Sequence, residues 1–241
     1  MLKEISSVFS FLTIIPSNNT DLETVARYMH VFPIIGIGIG LLIASIGFGL
    51  SFFLEPLIVA LLVVASIAII TGIHHTDGLA DFADGLMTRG TKEKKRKAMK
   101  DLSTGSAGIV SVVLSIVGVI IALSLTTGYE LFQAILLSEI LAKFSMVLMA
   151  SIGKSAAAGS NSPFMQIMKD KRRLAAAGVI TIIPLVVIGG TTGLILFGAS
   201  IGVTLFLIGL STRSFGGITG DVMGAANELT RLSSLLIFVS L

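Results

Sequence analysis

The chain has 241 residues, of which 54% are hydrophobic and only 13% charged, with a formal net charge of +3. Soluble domains carry about 25% charged residues, so the composition excludes an ordinary soluble domain and places the chain among integral membrane proteins. It has no Cys and no Trp, which excludes a disulfide framework and thiol chemistry and leaves a thin interfacial aromatic belt.

The N-terminal stretch MLKEISSVFSFLTIIPSNN has a short apolar run after a Lys-Glu pair and lacks a small-residue cleavage site. It is expected to be mature protein and to form an interfacial or partly inserted helix. Six apolar runs follow that are long enough to span, over 31–53, 56–73, 107–127, 131–151, 174–190 and 193–211. A seventh, 232–241, is too short to cross unaided and reads as a short C-terminal membrane helix. The runs are continuous and do not alternate, which fits a strand barrel poorly. The expected fold is all-α: a polytopic integral membrane helical bundle forming a single membrane-embedded domain over 1–241. The glycines of GIGIG, 36–40, allow close helix approach.

The connections at 54–55, 128–130 and 191–192 hold no Lys or Arg, whereas segments 1–30, 74–106, 152–173 and 212–231 hold 16 of the 17 basic residues. Six spans put all four segments on one side, which the positive-inside rule makes cytoplasmic. The expected setting is a multi-pass cell-membrane protein with its N-terminus and long loops in the cytoplasm and its chemistry in those loops.

HHTDGLADFADG, 74–85, concentrates acid directly after a span. At about 100° per helical residue, Asp77, Asp81 and Asp84 fall within about 60° of one another, and Leu79, Phe82 and Leu86 fall opposite. Three carboxylates so close repel unless some protonate or a cation sits among them. Oxygen-only ligands suit Mg²⁺, with Mn²⁺ as substitute. A solvated helix face is the alternative, and the tight spacing beside a span favours metal. Of the two histidines, His74 shares the acidic edge on a helical wheel and His75 does not.

Three further polar stretches lie on the same side. The Lys92–Lys100 block reads as headgroup anchoring. After it, Asp101 is either a cap or a further carboxylate. Gly105 and Gly108 open a helix N-terminus whose free N–H groups either attract phosphate or are simply capped. In 153–173, Lys154 is placed to reach an anionic substrate, while Lys171, Arg172 and Arg173 fall at headgroup level. In RSFGGITGDVMGAANELTR, 213–231, glycine pairs flank Thr219 and lead into Asp221. Asp221 and Glu228 share a helical face, with small Gly224 and Ala225 between them leaving room for a ligand. Glu139 and Lys143, one turn apart within the fourth run, read as a simple pair.

Taken together, FLTIIP (11–16), TGIHHTDGLADFADG (71–85), MKDLSTGSAG (99–108) and GGITGDVMGAANE (216–228) resemble the motifs of the cobalamin synthase family, adenosylcobinamide-GDP ribazoletransferases, in order and spacing over essentially the whole chain. The family often has Arg where this chain has Ile14, and Ser-Arg where it has Ala142-Lys143. The resemblance implies a Mg²⁺-dependent transferase of the cytoplasmic membrane. It joins adenosylcobinamide-GDP to α-ribazole or its 5′-phosphate, releasing GMP and giving adenosylcobalamin or its 5′-phosphate. By the family's register His75 is the motif histidine.

In that chemistry Asp77, Asp81 and Asp84 are expected to hold one or two cations on the diphosphate. Asp221 either completes the metal site or orients the nucleophile, and Glu228 and His75 are the other candidates for acid–base work. Asp101, Gly105, Gly108, Lys154, Gly217, Thr219 and Gly220 are the expected substrate and phosphate contacts. Membrane lipid is an expected partner, nucleic acid is not, and a homo-oligomer is compatible with the sequence. The rival readings are a CDP-alcohol phosphotransferase-like enzyme, whose distal acidic half is missing here, and an ion or organic-anion transporter, whose acids would lie in mid-span.

Overall fold

The structure is a computed structural model that describes residues 2–16, 21–156 and 162–241. Among them are eleven α-helices: α1 (Leu2–Leu12), α2 (Leu22–Arg27), α3 (Phe32–Leu50), α4 (Pro56–Thr71), α5 (His74–Met87), α6 (Lys92–Ala98), α7 (Ser106–Ser124), α8 (Gly128–Ile152), α9 (Ser162–Ile167), α10 (Lys171–Phe215) and α11 (Gly220–Phe238). No strand occurs among the described residues beyond one isolated bridge, Ser155 to Ile218. Part of the small-residue stretch at 153–173, residues 157–161, lies outside the described residues.

Four segments are long and apolar enough to cross a membrane: Met29–Leu50, Ser106–Ser124, Gly128–Ile152 and Lys171–Phe215; α4 and α5 would together make a fifth, bent by 93°. The chain is thus an all-helical, multi-pass membrane protein with four to five such segments by length and composition. The expected fifth and sixth runs fall in one 45-residue element, α10, but it is not straight. Gly190 (φ 55°, ψ −130°) breaks it, and a Cβ on Gly193 would strike the Leu185 carbonyl. In a continuous helix those residues stand about 12 Å apart, so the chain folds back at the break. Gln133 of α8 donates to the Ile188 carbonyl beside it at 2.6 Å, satisfying an acceptor that the break frees.

The central helix is α8, nearly all of which is buried between Leu131 and Ala150, as an all-round apolar helix should be. It packs against α3, α10 and α11. Gly36 and Gly40 of α3, one turn apart, lie on α8: a Cβ on either would come within about 3 Å of Glu139 or Leu136. This is the close approach expected of small residues in membrane helices. α1 is present as expected, with Val8 and Leu12 buried against the core.

The C-terminal reading needs correction. The expected loop 212–231 and short membrane helix 232–241 are not separate. Residues from Gly220 to Phe238 form one helix, α11, and its middle turns are buried, including Asn227, Glu228, Thr230 and Arg231. Hydropathy placed the boundary where charge ended, but those charges pair inside the bundle, so the helix continues through them.

Candidate active site

α5 reaches the site through an unusual turn. Gly72 (φ 64°) and Ile73 (φ 56°) are both left-handed, a conformation that glycine accepts and a β-branched residue rarely adopts. The turn ends α4 and sets α5 at 93° to it. Leu79 and Phe82 are buried and Leu86 is partly buried. The ring of Phe82 meets Phe215 edge-on at 5.8 Å, so the expected greasy face exists.

α5 crosses α11 at two glycines. A Cβ on Gly78 would come within 3.0 Å of the Asp221 carbonyl, and one on Gly224 within 3.2 Å of the His75 carbonyl. The backbones therefore touch, and Asp221 arrives beside the acidic edge of α5. Gly224, expected to leave room for a ligand, receives α5 at this crossing and also borders the open space beside it. Sequence reasoning missed the crossing, although glycines inside both motifs were its signal.

A cleft of about 430 Å³ opens there, lined by Ser10, Phe11, His74, His75, Asp77, Gly78, Met146, Gly220, Asp221 and Gly224. Both histidines reach it, which settles their placement without choosing between them. His74 is exposed. His75 is buried, its Nδ1 has no partner, and burial holds the ring well below its usual pKa, with Lys143 and Arg231 pushing the same way. Asp77 is exposed and Asp81 half-buried. Partial burial, then repulsion from Asp221, Asp77 and Asp84, pushes the Asp81 carboxyl up to about 6. Burial likewise raises Asp221. Thr219 caps α11, accepting from the Val222 N–H, and its hydroxyl donates to Asp221 Oδ2 at 3.3 Å.

Asp84 departs from the expected triad. Its Oδ2 accepts from the Gly105 N–H at 2.7 Å and its Oδ1 from the Gly108 N–H at 2.8 Å. A carboxylate is the natural partner of the positive end of α7, so Asp84 caps that helix. Gly105 and Gly108 accordingly give their N–H groups to Asp84, not to phosphate. Among the described residues, no three acidic or histidine side chains converge closely enough to enclose a metal ion.

The remaining expected contacts are dispersed. Asp101 is exposed and closes its own turn, accepting from Ser103 N and Oγ at 3.0 and 2.5 Å. Lys154 has an exposed side chain, and its carbonyl accepts from the Ile218 N–H at 2.7 Å. Gly217 lies against the backbone of residues 154–156, so it joins two loops and does not line the cleft. Gly220 does line it. Two expected headgroup anchors are also engaged: Lys95 donates to the Leu86 carbonyl at 2.7 Å and Arg96 to the Phe215 carbonyl at 2.6 Å, at helix C-terminal ends where cations are favoured.

Glu228 faces a different layer. Its carboxylate accepts from Arg231 Nη1 at 2.6 Å and Asn227 Nδ2 at 3.0 Å. Arg231 also donates to Glu139 at 2.5 Å. Lys143 lies 2.8 Å from Asn227 Oδ1 and 3.4 Å from Glu139 Oε2. The expected Glu139–Lys143 pair exists, then, as part of a five-residue cluster joining α8 to α11.

The fold and site define a membrane-embedded helical protein with an acidic cleft, and its relatives are transferases. The chain belongs to the cobalamin-5-phosphate synthase family, whose profile matches residues 4–239. A Methanocella arvoryzae protein named adenosylcobinamide-GDP ribazoletransferase is 33% identical over 98% of this chain and 94% of its own length. Proteins of the same name from Pyrococcus abyssi (35% identical, covering 96% and 95%) and Archaeoglobus fulgidus (35%, covering 98% and 96%) are similar to it as well. No solved structure matches the chain.

Proposed function

We propose that the chain transfers the cobinamide phosphate moiety of adenosylcobinamide-GDP to α-ribazole or its 5′-phosphate, the step that assembles the nucleotide loop of cobalamin. A ribazole hydroxyl attacks the phosphorus that carries cobinamide. The bond from that phosphorus to the GMP oxygen breaks, GMP departs, and the hydroxyl proton is released. Family membership over nearly the whole chain supports the reaction. The observation that carries the site is the meeting of Asp77 and Asp81 with Asp221 across the Gly78–Gly224 crossing.

Both substrates are anionic in the 5′-phosphate case, so charge must be neutralised before attack. The residues fit a divalent cation: partial burial and then repulsion from the neighbouring carboxylates raise Asp81, and a cation relieves such repulsion. Asp77 and Asp81 would hold Mg²⁺ or Mn²⁺, as one or two carboxylates commonly do. When bound, the cation supplies charge neutralisation on the diphosphate. Asp221, oriented by Thr219, takes the hydroxyl proton. His75 lies at the cleft wall with its Nδ1 enclosed by protein. Glu228, held by Arg231, serves the fold and not the proton transfer.

We further read the bundle as crossing the cell membrane six times, the two halves of α10 making the fifth and sixth passages around Gly190. The basic segments then lie in the cytoplasm. GMP release in proteoliposomes, measured with adenosylcobinamide-GDP and each ribazole form, tests the reaction. Release that requires ribazole and Mg²⁺, and that Asp81→Asn abolishes in a folded protein, is the expected result. Full activity of that variant sinks the role given to Asp81.

A further inference from the structure

Beside the acidic cleft lies a second pocket of about 140 Å³, formed chiefly by Phe11, Met29, Phe32, Met146, Phe164 and Met223. Phe11, Met146 and Gly220 belong to both cavities, so the pocket opens beside the carboxylates. Its walls come from parts of the chain far apart in sequence: the end of α1, the segment from Leu22 of α2 through Met29 to the start of α3, the helix α8, the short helix α9 and the start of α11. Phe11 stands between two other rings, 6.4 Å from Phe32 and 5.8 Å from Phe164, tilted by 35° and 33°. Almost no polar atom faces the space.

Such a lining selects its occupant. A dry apolar cavity of about 150 Å³ takes up a benzene-sized ring, and this pocket is open on one side, so a fused ring can extend from it. Aromatic rings and methionine sulfur both make favourable contacts with a flat π system. Guanine is a poor fit. Its edge carries several donors and acceptors, and burying them without partners is costly. The base of a ribazole, a fused aromatic ring system with little polar edge, matches the lining.

We propose that this pocket seats the base of the ribazole co-substrate, leaving its ribose in the acidic cleft beside Asp221. The inference rests on the reaction proposed above and adds the binding site of the second substrate. The three methionines are adaptable in shape, so the pocket accommodates bases of related size.

The test begins with the wild-type chain in proteoliposomes. GMP release without any dependence on ribazole would overturn the reaction itself, and is read separately from the pocket. With ribazole dependence established, Phe164→Ala is expected to raise the KM for ribazole about ten-fold or more, the effect of losing one aromatic–base stack. The KM for adenosylcobinamide-GDP and kcat should each move less than about two-fold, and Phe164→Leu should fall between. If Phe164→Ala does not fold, a ribazole analogue with a single imidazole ring as its base serves on the wild-type chain, with the same rise in KM expected. An unchanged KM for that analogue overturns the proposal. So does a folded Phe164→Ala that leaves both KM values alone, as a lipid chain in the pocket would produce. A rise confined to adenosylcobinamide-GDP assigns the pocket to guanine and also overturns it.

Discussion

α11 carries two charged layers that are built in opposite ways. Near its N-terminus Asp221 meets Asp77 and Asp81, like charges that repel one another, with Lys100 close enough to act on Asp221 but no direct ion pair among the described residues. Two turns later Glu228 and Arg231 join Glu139 and Lys143, opposite charges packed out of water. The second layer is paired ion to ion, so it can be buried; the first is only partly offset by Lys100, so it stays open or binds something positive. Charge near a membrane therefore does not by itself mark a site. What distinguishes the cleft is the lack of direct ion pairs among the described residues, and His75 sits between the two layers, buried like the second and lining the first.

The comparison breaks most sharply at Arg231. Arg231→Met leaves Glu139 and Glu228 buried without their shared partner, a loss of about 3–5 kcal/mol, read as thermal unfolding of the purified protein in detergent. The acidic layer should respond in the other currency. Asp81→Asn lowers GMP release about 10²–10³-fold, the scale on which one preorganised electrostatic group acts, while the unfolding temperature holds or rises because one repelling charge is gone. Asp84→Ala separates the capping carboxylate from its neighbours. It should cost about 1–2 kcal/mol by removing the acceptor at the start of α7, a fall in Tm of roughly 2–8 °C.

The smallest effect is on pH. Asp81 ionises in the folded chain near 6, against an ordinary value of 3.8. The folded state thus keeps a proton that the unfolded chain has already lost. Its contribution to stability is fully present below about pH 4 and disappears as pH rises through about 6. Unfolding followed over that range in cation-free buffer should show the decline, and Asp81→Asn should remove that part of it. Added Mg²⁺ should weaken it at the upper end of the range.

Much of this was legible along the chain. Apolar runs gave α3, α4, α7 and α8 to within a few residues, and helical spacing gave α5 its acidic edge and buried Leu79 and Phe82. The four motifs that carried the family resemblance include both walls of the cleft. The errors share one cause. Asp84 follows the same spacing rule as Asp77 and Asp81, yet its carboxylate is claimed by N–H groups more than twenty residues away. Glu228 repeats on the face of Asp221, yet Arg231 and Asn227 hold it. The C-terminal run looked separate because the charges before it looked like a loop.

Local periodicity and hydropathy belong to the sequence by itself, because they depend on residues one or two turns apart. It determined a helical membrane protein, an amphipathic acidic helix after the second apolar run, and membership signals for a family. Which carboxylates face the cleft was decided only by tertiary structure. That choice depends on the left-handed turn at Gly72 and Ile73 and on the meeting of Gly78 with Gly224, contacts between helices nearly 150 positions apart that no spacing within either helix encodes.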